Sequence, residues 1–500
     1  MNVLFLNPSR AGEGNIPLNI PLMIAVLKKH NHEVRLFDMS DYAVFSDSSS
    51  NDMFFKKAEF DFQQIVDDRK QFYKDKFGTV VTGCNLKETD YHKDFEEVIN
   101  DFRPNIIAVS CLSTDFDFAI NFLFPFKKKF NIPVIFGGIH AVLLPEETLS
   151  AEACDFVCIG EGENSFVDFL TAIEKNLPLE SVKGIWFKKN KKIIKNPPIN
   201  LTNLEELPIP DYECFDPIHF YRPFDGKKYK MVNYEVSRGC PFSCTYCVNG
   251  ILKLKYRGLG PYHRVKNIKQ SISELKLTIT KYSFNFVRFW DEDFTSLREE
   301  FLKRYCEEYL KEIDLPFLIY SRVDTVTQKK VGILKKMGCR TFAMGIESGN
   351  EIIRRNVMNR QISNKLIIEK FNLVKSYDIR TSAYNIIGLP HETREAIFDT
   401  IELNRQINPD SFSVTLLEPY KGTPIREMCE EQGLDPNYKT TFGGVQFVPK
   451  SMSAEGLQGL FRTFAFYIKF PRDRYDEIRK AEKDNEVYKK LSKEFAEKFL

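Results

Sequence analysis

Excess charge of one sign is absent from this chain. Its 71 Lys and Arg nearly balance 69 Asp and Glu, leaving a net charge of +2. That balance gives no reason to expect nucleic acid or an anionic membrane as a partner. No apolar run approaches the roughly 20 residues of a membrane span, so none is expected. The opening Met-Asn-Val-Leu-Phe-Leu-Asn-Pro has no basic region, and its apolar run is too short for a signal peptide. With no export signal to read, the 11 cysteines are expected to be reduced thiols and the location cytoplasmic. A second C-x2-C or an H-x3-H is also missing after the main cysteine run; the nearest later candidate ligand is His263. A closed zinc site would ordinarily need such a partner.

What is present describes a globular protein, 43% hydrophobic and 28% charged, and 500 residues predict two or three domains. The organising stretch is 237–250, Ser-Arg-Gly-Cys-Pro-Phe-Ser-Cys-Thr-Tyr-Cys-Val-Asn-Gly. Cys240, Cys244 and Cys247 follow the short strand-like run Met231–Val236, so they lie on the loop leaving it. Soft thiolates this close suit an iron–sulfur cluster or zinc. A cubane held by three cysteines would keep one iron open to another ligand.

Before this loop, strand and helix alternate: Asn2–Leu6, a helix near Pro17–Lys29, Val34–Phe37, Asn105–Ser110, Phe116–Phe130, Pro133–Phe136, a helix after Pro145, Asp155–Ile159 and Glu163–Glu174. The alternation predicts an α/β fold with a doubly wound parallel sheet over residues 1–200, interrupted by a polar insertion at about 41–100. Lys183–Pro198 reads as a closing hairpin and 201–230 as a linker with Pro208 and Pro210. Ligands of such sheets sit beyond the carboxyl ends of the strands. The polar and glycine-rich turns fall there: Asn7–Gly12, Ser110–Thr114, Gly137–His140 and Gly160–Glu163.

Residues 231–430 repeat the pattern, with strands expected at 232–237, 284–290, 316–322, 340–346, 380–387 and 411–417 and helices between them. Their carboxyl ends carry Asp291, Glu292 and Asp293, then Ser321 and Arg322, then Glu347, then Asn385 to Gly388. Each charged group there is read either as part of a site or as a rim salt bridge. Cys306 and Cys339 fall at helix and strand positions and read as buried thiols. Residues 431–500 are expected to be mostly helical, with an aromatic run at Phe461–Phe470.

The C-x3-C-x2-C run with Tyr246 directly before its third cysteine, followed by this alternation, resembles the signature of the radical S-adenosylmethionine (radical SAM) superfamily. The resemblance implies a partial (β/α)6 barrel and a [4Fe–4S] cluster on Cys240, Cys244 and Cys247. It also implies SAM on the open iron. Asp291 or Glu292 would accept from the SAM amino group, and Ser321, Arg322 and Glu347 would hold its carboxylate and ribose. Backbone near Tyr246 and the Ile387–Leu389 turn with Gly388 would hold adenine. Tyr420-Lys-Gly-Thr-Pro424 resembles the P-G-T-P turn of one branch.

The N-terminal turns resemble the cobalamin-binding domain found upstream in that branch, the class B methyltransferase-like enzymes. Ser110-Cys-Leu112 matches its S-x-L turn, Gly137-Gly138 its paired glycines, and Gly160-Glu161-Gly162-Glu163 is typical of it. One departure stands out. Where cobalt-ligating domains carry D-x-H-x-x-G, this chain reads Asn7-Pro-Ser9-Arg-Ala-Gly12. Cobalamin is therefore expected with no axial protein histidine; His140 is a candidate lining residue. The implied activity is reductive SAM cleavage to a 5′-deoxyadenosyl radical, hydrogen abstraction from an unactivated carbon, and methyl transfer. The implied partners are a small-molecule, lipid or peptide substrate and an electron donor such as flavodoxin or ferredoxin. The alternatives are a relative that closes or contracts rings or oxidises without methyl transfer, and a zinc-stapled, non-catalytic binding protein.

Overall fold

The computed structural model describes residues 1–9, 16–42, 87, 89–436 and 444–499. Arg10–Gly12 of the first turn and residues 43–86 of the expected insertion lie outside these. The chain forms two compact units, residues 1–234 with 256–287, and residues 235–255 with 288–500.

The first unit is built on β1 (Asn2–Asn7), β2 (Glu33–Asp38), β3 (Ile106–Ser110), β4 (Val134–Gly137), β5 (Phe156–Cys158), β6 (Ile185–Lys189) and β7 (Lys192–Lys195). Their order is β2-β1-β3-β4-β5-β6-β7. β1 to β5 are parallel, and β6 and β7 form the expected antiparallel hairpin. Val3, Leu4 and Leu6 of β1 are fully buried, as suits a central parallel strand covered on both faces. Winding reverses between β1 and β3, so the ligand crevice of such a sheet falls at Asn7 and Ser110. The helix Phe116–Phe130 packs Phe122, tilted, and Phe126, edge-on, against Phe95 of the helix Tyr91–Phe102.

Two expectations need correcting. The linker 201–230 ends in structure: β8 (Tyr221–Phe224) and β9 (Lys227–Tyr234) pair antiparallel, and β12 (Phe286–Phe289) lies next to β9. Asp225 and Gly226 both have positive φ, +49° and +71°, as a two-residue hairpin turn requires. Pro223 is tolerated because β8 is an edge strand. In addition, 231–430 does not stand alone. β11 (Arg264–Val265) and the helix Ile268–Tyr282 belong to the first unit. They are held there by an Arg264–Glu161 ion pair, a Lys281–Glu213 pair at 2.8 Å and edge-on contact of Tyr282 with Tyr212.

The second unit contains β10 (Ser237–Arg238), the end of β12, β13 (Phe317–Arg322), β14 (Cys339–Glu347), β15 (Arg380–Ile387) and β16 (Ser411–Leu416). β12 to β16 lie side by side in sequence order, with β13 to β16 parallel. The helices Glu299–Glu312, Gln328–Met337, Asn364–Lys375 and Arg394–Ile407 alternate with them. One face packs on these helices: Phe289 and Phe317, both fully buried, meet Tyr309 of the first helix. Along β15 burial alternates residue by residue, so the opposite face stays partly accessible. The aromatic run forms the helix Ala454–Lys469, whose Leu460, Phe464 and Tyr467 join Ile397 and Ile401 in one core cluster. Among the described residues no helix is long and apolar enough to cross a membrane.

Candidate active site

The cysteine loop is held in place by groups distant in sequence. Asp291, 2% exposed, accepts hydrogen bonds from Val236 N at 3.2 Å and from Ser237 N and Oγ at 2.6 Å each. Burial pushes its carboxyl up to about 7 despite these donors. Downstream of the loop, Lys253 Nζ donates to Pro241 O at 2.9 Å, and Asn249 Nδ2 donates to Cys247 Sγ at 3.5 Å. Arg322 places its guanidinium 3.8 Å over the Phe242 ring and donates from Nη1 to Cys244 Sγ at 3.0 Å, while Asp324 takes its Nε and Nη2. Asn359 Nδ2 donates to Ser243 O at 3.0 Å, and Thr245 N donates to Met358 O at 3.3 Å.

Cys240 is buried and the other two thiols are half-buried. Burial pushes Cys240 up to about 12 and raises Cys247 too, so a bound metal must displace the proton. Four thiolates at 2.3 Å around one tetrahedral zinc lie about 3.8 Å apart. Among the described residues, the potential ligands whose donor atoms all fall within 4.8 Å are Asp38, Asp41 and His219, and the three thiols are not such a set. Their spread does not match a preformed single-ion site.

Beside the loop sits a buried trio. Tyr246 Oη donates to Glu347 Oε1 at 3.1 Å. Arg360 Nη1 reaches both, at 2.8 Å to the phenol and 3.0 Å to the carboxylate, and Nη2 donates to Gly345 O. Glu347 has φ +63°, a left-handed conformation unusual for its type, and its carboxylate folds back over Gly345. A Cβ at position 345 would sit 2.1 Å from Glu347 Oε1, so only glycine admits this fold-back. Burial raises the Glu347 carboxyl, and the Arg360 charge opposes the rise. Arg360 Nε and Asp293 Oδ2 are buried and meet no hydrogen-bond partner among the described residues. Polar groups of a small ligand at the strand ends would satisfy such orphans.

The expected residues thus divide. Tyr246, Arg322 and Glu347 gather around the cysteine loop. Asp291 is fully engaged in pinning Val236 and Ser237, which leaves the exposed Glu292, hydrogen-bonded to Asn249, as the accessible acid of the pair. Ser321 is not brought in: alternation along β13 puts it on the face of Phe317 and Ile319, toward the helices. Gly388, at φ +82°, turns the chain after β15, and the buried Glu392 accepts from its N–H and that of Leu389. Arg360 was not anticipated. It lies far from the cysteines in sequence, beyond a π-helical turn at Ile353–Val357, and a π-turn is itself a mark of a functional segment.

In the first unit the strand-end turns offer mainly backbone. Gly138 has φ +85°, and a Cβ there would lie 2.8 Å from both Cys111 N and Cys111 O, so the two turns touch as only glycine allows. Ser110 Oγ accepts from Asn19 Nδ2 at 2.6 Å, and Leu112 is 44% exposed. Asn7 is buried, donating to Asp38 at 2.9 Å and accepting from Ser9 N at 3.5 Å. His140 lies 3% exposed, stacked 3.9 Å from Phe116 and hydrogen-bonded to Ser113. Gly160 has open space beside it, Glu161 pairs with Arg264 and accepts from Thr202 N, and Gly162 begins the helix to Glu174.

Comparison with known proteins agrees with this geometry. The family model for the radical SAM superfamily matches residues 234–403, and that for the B12 binding domain matches residues 70–170. An uncharacterized methyltransferase of Pyrococcus horikoshii is 29% identical over 345 residues, covering 68% of this chain and 73% of the relative. The anaerobic magnesium-protoporphyrin IX monomethyl ester cyclase of Cereibacter sphaeroides is 26% identical over 398 residues, 76% of this chain and 63% of that one. The solved radical S-adenosylmethionine methyltransferase TsrM of Kitasatospora setae, with cobalamin and a [4Fe-4S] cluster bound, superposes with a TM-score of 0.64. It covers 91% of this chain and 83% of its own at 14% identity, a likeness of fold. The chain carries a radical SAM domain and, ahead of it, a B12-binding domain.

Proposed function

We propose that this chain is a cobalamin-dependent radical SAM enzyme that activates an unreactive carbon and methylates it. The observation that carries the proposal is the cysteine loop, fixed at the carboxyl ends of parallel strands beside the Tyr246–Glu347–Arg360 trio. When bound, the cluster and SAM supply a 5′-deoxyadenosyl radical and cobalamin supplies a transferable methyl group. The chain binds and orients. Cys240, Cys244 and Cys247 hold the cluster; Asp291 keeps their loop in register. Glu292 accepts from the SAM amino group. Glu347 and Arg360 hold its ribose and carboxylate, and Gly388, Leu389 and Tyr246 border its adenine. Asn7, Ser9, Ser110, Leu112, Gly137, Gly138 and Gly160 to Gly162 shape the corrin cradle, and His140 sits behind it in the core. An external donor such as flavodoxin or ferredoxin provides the electron.

Anaerobically purified protein given SAM and a reductant should form 5′-deoxyadenosine, and a product heavier by one CH2 marks methylation. A product formed without that gain would place the chain with the ring-forming relatives. A colourless protein without iron or sulfide would overturn the enzyme reading.

A further inference from the structure

The cysteine loop has an inner and an outer side. Inward, Tyr246 packs against a core cluster that holds Ile353, Val357 and Met358, and reaches the buried Glu347–Arg360 pair. Outward, Pro241 and Ser243 are exposed. Two segments of the same unit flank this outer rim, and each bonds to it. The helix Asn249–Lys255 sends Lys253 Nζ to Pro241 O at 2.9 Å. The segment 352–359 sends Asn359 Nδ2 to Ser243 O at 3.0 Å, and its Met358 O accepts from Thr245 N at 3.3 Å. Within that segment residues 353, 354, 357 and 358 are buried. Ile352, Arg355, Asn356 and Asn359 are exposed, the i, i+3, i+4, i+7 spacing of a single outward face.

Among the described residues the two most exposed large apolar side chains are Leu254 of that helix, at 61%, and Ile352, at 60%. Exposed aliphatic residues scattered singly need no explanation. These two fall on the two segments that frame one loop. Cations accompany both: Lys253 and Lys255 beside Leu254, and Arg355 three residues after Ile352. Neither Lys253 nor Arg355 meets a carboxylate among the described residues; Lys253 donates to backbone carbonyls and Arg355 to Asn356. The acids nearby are engaged: Asp324 with Arg322, and Glu351 Oε1 with Asn364 N at 2.6 Å. The rim is therefore small, apolar at two points and positive. Weak electron-transfer encounters bury little area, and opposite charge steers them. An electron bound for the cysteine loop enters most directly at this exposed rim, because the inner side is packed with the trio.

We propose that Leu254, Ile352 and Arg355, with Lys253 and Lys255, form the docking face for a small electron-carrier protein with an acidic surface. The proposal rests on the radical SAM reading above. One electron leaves the carrier's reduced centre and enters the cluster, and no atom is exchanged. The probe is oxidised flavodoxin, an acidic carrier, titrated by calorimetry into the protein reconstituted with cluster and cobalamin. Flavodoxin should bind at low salt, and its Kd should rise at least tenfold as ionic strength goes from about 0.02 to about 0.5 M. Arg355→Glu should weaken binding at least threefold, and adding Leu254→Glu at least tenfold. Lys303→Glu, an equal change of charge on the helix Glu299–Glu312, should leave Kd where it is. No binding at low salt, a Kd indifferent to salt, a Kd unmoved by the double variant, or equal weakening by Lys303→Glu and Arg355→Glu would each overturn the proposal. With dithionite in place of flavodoxin, 5′-deoxyadenosine formation should hold in every variant. A fall with dithionite as steep as with flavodoxin would also overturn it. Failure of the functional reading shows separately, as missing iron and sulfide in the unaltered chain.

Discussion

At the carboxyl ends of β3 to β5 the chain presents peptide groups, Ser110 and a glycine that no other residue can replace. At the ends of β12 to β15 it presents ionisable side chains, nearly all buried and paired. The first arrangement can recognise a large ligand by shape, because backbone approaches closely where side chains are absent. The second can hold charge, because each carboxylate or guanidinium is already desolvated and oriented. The contrast teaches that the two regions should fail differently: the first through steric intrusion, the second through loss of a partner.

The severest test is on the second region. Changing Cys240, Cys244 and Cys247 to Ala should abolish iron and sulfide binding and 5′-deoxyadenosine formation together; a triple variant with full iron content would break the assignment. Next is Arg360→Met, which strands the Glu347 carboxylate. Removing one partner of a buried pair typically costs about 3–5 kcal/mol. The denaturant midpoint should fall, SAM affinity should fall more than iron content, and Arg360→Met with Glu347→Gln should recover part of the stability. No loss in the single variant would show the pair to be solvent-screened.

Gly138→Ala tests the first region. Its strained φ alone should cost about 1–3 kcal/mol, and its Cβ should force the Ser110–Cys111 turn outward. Cobalamin content should drop while iron content holds; a parallel loss of both would erase the distinction between the regions.

A smaller effect separates them by pH. Burial pushes the Glu392 carboxyl up to about 8 from its ordinary 4.5. The folded state then holds a proton that the unfolded chain has released. This contribution to stability is full below about pH 4.5 and is lost as pH rises toward 8. Glu392→Gln should flatten that part of the stability–pH curve, read from denaturant midpoints; an unchanged slope would refute a protonated Glu392. The smallest effect is expected at Ser9→Ala and His140→Ala. The electron paramagnetic resonance of cob(II)alamin should show no nitrogen superhyperfine splitting in the unaltered chain and should not move in either variant. Splitting from an axial nitrogen would contradict the absence of a protein histidine on cobalt.

The strand–helix alternation was legible because long periodic segments declare themselves: Phe116–Phe130 was read to the residue, and β15 matches the expected 380–387. The helix Ile139–Leu143 was missed because five residues show no period. The β8–β9 hairpin was missed although Asp225-Gly226 signals one, because the prolines nearby read as linker. At the site, the cysteines and Tyr246 are local and could be read. Asp291 was placed correctly but does another task, since its partners on Val236 and Ser237 appear only when β12 ends beside them in space. Arg360 and Gly345 act through tertiary contacts that no spacing encodes.

The interleaving of the two units bears on biosynthesis. The first unit needs residues 256–287, with the Arg264–Glu161 pair and the helix Ile268–Tyr282, yet the cysteine loop of the second unit is translated before them. A chain emerging from the ribosome therefore cannot finish its B12-binding half and then begin the other. A fragment ending at 234 lacks part of its own unit and should be recovered poorly folded, whereas one carried through 287 already exposes three thiols with no barrel around them. Cluster insertion is best timed after release of the whole chain, when Arg322, Asp291 and Arg360 are all available to receive the loop.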